Sequence, residues 1–253
     1  MPEAFKVPMS SPDLTAAERQ AVARVLETPR LSMGPELEAF EAALAEAAGV
    51  VHAVAVSSGT AALHLCVRAA GLGQGDLVLT TPFSFVASAN VLLYERAIPV
   101  FVDVEPRTGN IDPEQVAAAA ADLASGGRAA RPWLPRRSPD RPGQLKAVLS
   151  VDVFGQPADY EPLRRTAGQH GLCLLEDSSE SLGAAYRGKP AGSLGDAGVL
   201  AFYPNKQITT GEGGAVVTDR ADWAEHVRSL RNQGRSQADG WLEHTYLGYN
   251  YRL

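Results

Sequence analysis

Short apolar runs along this chain alternate with segments whose apolar residues recur at helical spacing. One such segment covers residues 36–48, where Pro35 suits a first helical turn and Gly49 a stop. Further helices are predicted from Ala61 to the stop at Gly71, after the helix-start signature Asp112-Pro113-Glu114, and over residues 221–231. The apolar runs that predict buried strands are 50–56, 77–80, 98–104, 147–153, 172–175, 198–203 and 214–218.

This alternation predicts an α/β fold. Strands that are separated by helical patterns favour a mostly parallel sheet sandwiched by helices on both faces. A chain of 253 residues is long enough for one large domain with a substantial core. We therefore expect a single unit over 1–253.

Residues 125–143 depart from this pattern, because they are rich in Pro, Gly and Arg and poor in apolar residues. We interpret the segment as a flexible surface insertion between a helix and a strand. A second interpretation, in which its arginines reach the diphosphate of a substrate, remains open.

Composition and charge exclude several classes of protein. The net charge of −6 gives no electrostatic reason to expect binding to nucleic acid or to an acidic membrane. No apolar run approaches the length of a membrane span, and the first residues lack the pattern of a signal peptide. Cys66 and Cys173 lie in apolar runs, which is typical of buried free thiols in a reducing compartment. The histidines and cysteines show no metal-ligand spacing, so we expect no metal site. Because the sequence shows neither a signal peptide nor a membrane span, we expect a cytoplasmic protein.

A candidate nucleophile follows the strand predicted over residues 198–203. Lys206 comes three residues after the end of this run and before a turn rich in Thr and Gly. A lysine held at a strand end, with little room for water, can lose its proton and attack a carbonyl as a neutral amine. An ordinary solvated lysine is the alternative if Lys206 is considered alone.

A candidate carboxylate ends another apolar run. Leu172–Leu175 is followed by Glu176 and Asp177, and the carboxyl ends of parallel strands are where ligands bind. Alternation along a strand puts the two acids on opposite faces, and we take Asp177 as the one that faces the ligand. Such a carboxylate suits the ring nitrogen of pyridoxal phosphate, which must stay protonated to accept electrons.

A candidate anion site follows the first predicted strand. The turn Ser57-Ser58-Gly59-Thr60 leads into a helix, so backbone N–H groups, the helix N-terminus and two kinds of hydroxyl donor meet there. An ordinary capped helix is the alternative for this turn taken alone.

Together these segments resemble one family. The chain is similar to the DegT/DnrJ/EryC1/StrS family of pyridoxal-phosphate-dependent sugar aminotransferases, which have the aspartate aminotransferase fold (type I). The similarity includes Ser58-Gly59-Thr60-Ala61-Ala62-Leu63, Pro82-Phe83-Ser84-Phe85, Pro99–Val104, Asn110-Ile111-Asp112-Pro113, Glu176-Asp177, Tyr203–Gly214 and Leu247–Arg252.

The resemblance implies roles for individual residues. Lys206 matches the lysine that binds the cofactor covalently and moves the proton, and Asp177 matches the carboxylate at the ring nitrogen. Phe85 matches an aromatic residue that stacks on the ring, and Gly59 and Thr60 match the cup for the cofactor's phosphate. The remaining matches are Glu180, near the ring's phenolic oxygen, and Asn250, which reaches the phosphate bound by the neighbouring subunit of a homodimer.

The chain departs from the family in three places. Ala201 stands where a phosphate-binding Ser is frequent, and Glu180 where Gln or His is usual. An ionised Glu180 would face the phenolate oxygen, so it is either protonated there or bound to a sugar hydroxyl. The sequence also stops at Leu253, where the family continues into a smaller C-terminal domain. We therefore expect 1–253 to be the cofactor-binding large domain without that small domain.

The function implied by the resemblance is transfer of an amino group from an amino acid, with glutamate expected, to a nucleotide-linked keto-sugar. Two alternatives remain. A related dehydratase would replace the lysine with His, which Lys206 argues against. A catalytically silent cofactor-binding or regulatory fragment of the family is the second.

Overall fold

A seven-stranded sheet forms the centre of the molecule in a computed structural model that describes residues 10–136, 143–236 and 242–253. The helices are α1 (Ala16–Leu26), α2 (Pro35–Ala48), α3 (Gly59–Ala69), α4 (Ala87–Tyr94), α5 (Pro113–Ser125), α6 (Gly127–Ala130), α7 (Tyr160–His170) and α8 (Ala221–Arg231). The strands are β1 (His52–Val56), β2 (Leu77–Thr80), β3 (Ile98–Phe101), β4 (Leu145–Val151), β5 (Cys173–Asp177), β6 (Ala185–Tyr186), β7 (Lys189–Pro190), β8 (Ala197–Ala201) and β9 (Gly214–Thr218).

The sheet is parallel except for one strand. Its order is β1-β9-β8-β5-β4-β2-β3, and β9 runs antiparallel to both of its neighbours. The mostly parallel sheet that the sequence predicts is therefore confirmed. Because β8 and β9 are antiparallel neighbours, the loop between them leaves and re-enters the sheet at the same edge. That edge is also where the parallel strands have their carboxyl ends.

Helices cover both faces of the sheet, as the sequence predicts. On one face, Leu149 and Leu175 pack in a core with residues of α3, α4 and α8. On the other face, Val148 and Leu174 pack with residues of α5 and α7. A third cluster joins α2 to β1, β8 and β9 on this second side. Neighbouring residues of a strand thus serve different cores, which follows from the two-residue period of β-structure.

Several strand ends differ from the sequence expectation. The strand predicted over 98–104 ends at Phe101, and the strand predicted over 147–153 ends at Val151, before a short 3-10 turn at Val153–Gly155. By contrast, β5 extends past Leu175 to Asp177 because Asp177 pairs with strands on both sides. The acidic pair therefore lies inside the strand.

Part of the predicted insertion packs against the domain. Within residues 125–136, Ala130 of α6 is buried and the Trp133 indole donates a hydrogen bond to Asp122 at 2.9 Å. Trp133 and Leu134 also pack against the core that lies under α5 and α7. Residues 137–142 of the predicted insertion lie outside the described residues.

Helix α1 contrasts with the other long helices. It begins with a capping box, in which the side chains of Thr15 and Glu18 accept hydrogen bonds from the backbone N–H groups of Ala17 and Thr15. None of its residues is buried, and Val22 and Leu26 expose most of their surface. Within the described ranges, no helix combines the length and the hydrophobicity that crossing a bilayer requires.

Candidate active site

A cavity of about 660 Å³ opens at the edge of the sheet where the parallel strands end. The loops that follow β1, β2, β4, β5 and β8 all contribute to its wall. Six of the seven residues that the sequence predicts for the site line this cavity: Gly59, Thr60, Phe85, Asp177, Glu180 and Lys206. The tertiary structure thus brings together predicted residues as distant in sequence as Gly59 and Lys206, which are 147 positions apart.

Asp177 lies in the cavity wall at the carboxyl end of β5. Its side chain is largely buried, and it accepts hydrogen bonds from the Ser88 hydroxyl at 2.8 Å and the Ser179 hydroxyl at 2.6 Å. Two hydroxyl groups on different elements therefore fix the orientation of the carboxylate. Burial with hydrogen-bond partners is the condition under which a carboxylate holds a positive ring nitrogen strongly.

Glu176 points to the other side of β5, as strand alternation predicts. Its carboxylate accepts hydrogen bonds from the backbone N–H groups of Gly192, Leu194 and Gly195. Burial, together with the nearby charge of Asp152, raises the pKa of Glu176 to about 8. Glu176 therefore fastens the loop between β7 and β8 and takes no part in the cavity wall.

Asp152 is a buried acid at the end of β4 that also lines the cavity. It accepts hydrogen bonds from Tyr160, Ser178 and Ser181. Burial raises the pKa of Asp152. The Ser178 hydroxyl lies 2.9 Å from Asp152 and 2.6 Å from Glu176, so it bridges the two acids.

Lys206 forms an ion pair with Glu180 inside the cavity. The Lys206 Nζ atom lies 3.0 Å from Oε1 of Glu180, and the lysine side chain is mostly buried. The second oxygen of Glu180 accepts a hydrogen bond from the backbone N–H of Phe154 at 3.2 Å. One carboxylate therefore holds both the candidate nucleophile and the turn after β4.

The N-terminus of α3 forms one wall of the cavity. Ser58 caps the helix by accepting a hydrogen bond from the N–H of Ala61 at 3.0 Å. The N–H groups of Gly59 and Thr60 lie in the first turn, where no helix carbonyl is available to accept from them. A Cβ atom at position 59 would approach Cβ of Ala201 to 2.7 Å, so only glycine fits beside β8. These features suit an anion bound against backbone.

Aromatic side chains surround the mouth of the cavity. Phe83, Phe85, Phe154 and Tyr203 line it and expose between 46% and 81% of their surface. Phe83 and Phe154 meet edge to face with ring centres 5.8 Å apart. Phe154 also has a φ of 54° and a ψ of 28°, a left-handed conformation that costs a bulky residue roughly 1–3 kcal/mol.

Asn250 is the predicted site residue that lies away from this cavity. It is exposed, and its neighbours Tyr249 and Tyr251 stack on each other with ring centres 5.0 Å apart. His64 of α3 bonds to the Tyr251 hydroxyl at 3.1 Å and to Glu95 at 2.8 Å. The segment that carries Asn250 is thus anchored on α3 and on Glu95 at the end of α4.

Sequence reasoning missed several residues of this site. Ser88, Ser179 and Asp152 support or line it, and Phe154 and Glu212 contribute to its mouth. The pair of serines after the acidic pair was a usable signal for Ser179, which is the second of them. No pattern along the chain indicated Ser88, because α4 reaches Asp177 only through the fold.

Predictions about titratable and sulfur groups elsewhere have mixed outcomes. His64 is buried and bonded as a structural histidine, and no cluster of metal-ligating residues occurs in the part of the chain that the structure describes. Cys66 is buried and free, and burial raises the pKa of its thiol. Cys173 is free but only partly buried, because it begins β5 near the surface.

A model of the DegT/DnrJ/EryC1/StrS aminotransferase family matches residues 12–253. The chain belongs to this family. GDP-perosamine synthase from Caulobacter vibrioides is 38% identical over 250 residues, which cover 98% of this chain and 61% of that protein. A putative pyridoxal phosphate-dependent aminotransferase of Bacillus subtilis, EpsN, is 36% identical over 249 residues, covering 98% and 60%.

A solved structure of the family has the same fold. The aminotransferase PseC from Helicobacter pylori, which is involved in the biosynthesis of pseudoaminic acid, matches with a TM-score of 0.80 and 33% identity. The match covers 97% of this chain and 61% of that one. The chain therefore spans about three fifths of the length of these relatives.

Proposed function

We propose that this chain is the cofactor-binding part of a pyridoxal-phosphate-dependent aminotransferase. The acceptor is a nucleotide-linked keto-sugar, and the donor is an amino acid, with glutamate expected. The observation that carries the proposal is the presence of Lys206, Asp177 and the N-terminus of α3 in the wall of one cavity. The family assignment and the sugar aminotransferases among the relatives support it.

The residues present fit this cofactor. Lys206 supplies an amine for its aldehyde, Asp177 a buried carboxylate for its ring nitrogen, and Gly59 and Thr60 free N–H groups for its phosphate. Because Ala201 leaves no room for a side chain at position 59, the backbone of Gly59 itself would face the phosphate. When bound, pyridoxal phosphate supplies a ring that accepts the electrons left behind as the donor's Cα loses its proton.

The chain's own groups then orient reactants and move the proton. Asp177 keeps its charge directed at the ring nitrogen because Ser88 and Ser179 bond to its two oxygens. With an amino acid bound at the cofactor, Lys206 would be free to take a proton at Nζ and return it to a neighbouring carbon. Glu180 is placed to accept a hydrogen bond from the lysine ammonium during this transfer.

We further propose a cytoplasmic homodimer with shared sites. The free thiols Cys66 and Cys173 support a reducing compartment. The anchored, exposed segment around Asn250 supports a contact with the site of a second subunit, in which Asn250 and Gly59–Thr60 bind one phosphate. The proposed products are amino sugars for polysaccharides or glycosylated metabolites. A GDP-perosamine synthase and a spore coat polysaccharide biosynthesis protein among the relatives support this.

Covalent trapping of the cofactor tests the proposed function. The chain is incubated with pyridoxal phosphate, reduced with borohydride and mapped by peptide mass spectrometry. We expect the tag on Lys206, and we expect Lys206→Ala to lose the tag and to slow transamination by about 10²–10⁴-fold or more. Lys189→Ala, at an exposed lysine outside the cavity, is the matched control and should keep both.

Turnover separates the remaining alternatives. A version extended by a C-terminal domain of the family, incubated with glutamate and a panel of nucleotide keto-sugars, should give an amino sugar. A tag on another lysine would reject the assignment of Lys206. Trapping at Lys206 without turnover of any amino donor would instead favour the catalytically silent cofactor-binding protein.

A further inference from the structure

Phe154 combines two features that each need an explanation. Its side chain is 80% exposed although it is a large apolar residue in the wall of the cavity. Its backbone has a positive φ, and among the five non-glycine residues with this conformation in the described ranges it is the one that lines the cavity. Strain of this kind persists where the surrounding structure holds it, and it concentrates at binding sites.

Glu180 holds Phe154 in this conformation. Its carboxylate accepts the backbone N–H of Phe154 through Oε2 and the Lys206 ammonium through Oε1. The phenyl ring is also supported on one side by Phe83, which meets it edge to face. Phe154 and Lys206 are therefore both held by Glu180 in the wall of one cavity, and the phenyl ring stays accessible to a ligand there.

The charge of the cavity restricts which part of a substrate can lie there. The charged groups of its wall, among the described residues, are four acids and one base: Asp152, Asp177, Glu180, Glu212 and Lys206. No arginine belongs to the described wall. Away from the first turn of α3, which is assigned to the cofactor's phosphate, this excess of carboxylates disfavours a further diphosphate, whereas hydroxyl groups can donate hydrogen bonds to them.

An aromatic face flanked by carboxylates suits a sugar ring. The C–H groups on the apolar face of a pyranose carry a small positive charge, and the face of a phenyl ring is negative. Stacking also removes apolar surface of both partners from water. The hydroxyl groups at the edge of such a sugar would then lie toward Glu180 and Glu212.

We propose that Phe154 is the platform on which the apolar face of the acceptor's sugar ring stacks. The carboxylates of Glu180 and Glu212 accept hydrogen bonds from the hydroxyl groups of that sugar. This inference rests on the proposed aminotransferase function. It places the sugar ring at the mouth of the cavity, beside Lys206. The diphosphate and the nucleobase of the substrate then lie outside the acidic wall.

Binding measurements with stable probes test the platform. Cofactor is fixed on the chain with borohydride so that no reaction can run, and GDP-mannose, UDP-N-acetylglucosamine, GDP and UDP are titrated by calorimetry. We expect Phe154→Ala to raise the Kd of the nucleotide sugars about tenfold and to leave the Kd of the free diphosphates unchanged. Phe154→Tyr keeps the aromatic face and should bind as the unaltered chain does.

A second phenylalanine provides the matched control. Phe101 of β3 is also exposed but does not line the cavity, so Phe101→Ala should leave all four affinities unchanged. Equal losses for nucleotide sugars and free diphosphates in Phe154→Ala would assign the ring to the nucleobase and overturn the proposal. Unchanged affinity for the sugars, or no binding of any probe to the unaltered chain, would also overturn it.

The trapping step distinguishes this failure from failure of the proposed function. Cofactor trapped at Lys206 with sugar affinity that does not depend on Phe154 rejects the platform alone. Absence of trapping rejects the aminotransferase itself.

Discussion

At the scale of single residues, adjacent acids in β5 have separate tasks. Asp177 faces the cavity and is oriented by hydroxyl groups, while Glu176 fastens the loop before β8 through backbone N–H groups. The two-residue period of the strand separates them. Of these two acids, Asp177 is therefore the one placed for the proposed contact with a ring nitrogen.

Phe154 gives a prediction about stability at this scale. Phe154→Gly should raise the free energy of unfolding by about 1 kcal/mol, because glycine adopts a positive φ without the clash that a Cβ atom causes. Urea denaturation followed by circular dichroism measures the change. The matched variant Phe101→Gly lies in β3, where glycine is unfavourable, and should lower stability.

A gain in stability accompanied by weaker sugar binding would show that the chain retains a strained residue for its ligand. Unchanged or lower stability in Phe154→Gly would contradict the presence of strain at this position.

At the scale of elements, the carboxyl ends of β4 and β5 bring two buried acids, Asp152 and Glu176, close to each other. Ser178 has one hydroxyl proton, so it can donate to only one of Asp152 and Glu176, although it lies within hydrogen-bond distance of both. The second contact is satisfied if one acid is protonated and donates to the serine oxygen. This agrees with the raised pKa of Glu176, which results from burial and from the charge of Asp152.

The raised pKa predicts that stability falls with increasing pH. Between the ordinary value of 4.5 and about 8, folded Glu176 binds a proton that the unfolded chain does not bind. Its contribution is therefore complete below the lower value and is lost as the pH rises to the higher one, with a slope of up to about 1.4 kcal/mol per pH unit. Urea denaturation between pH 5.5 and 8.5 measures this slope.

Asp152→Asn should make the slope shallower, because it removes the negative charge that helps to raise the pKa of Glu176. The amide can donate to the Ser178 and Ser181 hydroxyl groups, which accept as well as donate. Asp103→Asn, at an exposed position away from the pair, is the control and should keep the original slope. An equal slope in Asp152→Asn and the unaltered chain would exclude coupling between the two acids.

At the scale of the whole molecule, the α3 helix links two parts of the proposed dimer site. Its N-terminus lines the cavity, and its His64 anchors the tyrosines on either side of Asn250. The backbone N–H of Ser57, just before the anion site, also donates to the carbonyl of Tyr251 at 2.9 Å. The turn that would bind one phosphate is therefore rigidly connected to the segment that would reach the partner's phosphate.

Mixing two inactive variants tests the shared site. Lys206→Ala lacks the lysine, and Asn250→Ala lacks the group offered to the other subunit. A mixed dimer contains one site with both natural residues, so co-refolded variants should recover about a quarter of the cofactor trapping of the unaltered chain. Trapping is measured by absorbance of the reduced cofactor on the protein.

The control for this experiment is each variant refolded alone, which should trap little cofactor. If the mixture traps only the average of the two separate variants, Asn250 serves its own subunit or no site at all.

The sequence by itself determined the class of fold and the main residues of the cavity. Hydrophobic periodicity located most strands and helices because burial of apolar side chains depends on local spacing, and α8 and β9 have the predicted bounds. Lys206, Asp177 and Gly59 stood out because each lies at or just after the carboxyl end of an apolar run, and such ends share one edge of a parallel sheet.

Tertiary structure alone decided the contacts between distant segments. Residues 88 and 177 meet through packing of α4 on the sheet, and Glu180 joins Lys206 to Phe154 across three loops. The left-handed conformation of Phe154 depends on neighbours that no local pattern encodes. The same is true of the raised pKa values of Asp152 and Glu176. Periodicity records which face of an element is buried, whereas these features depend on which other element covers it.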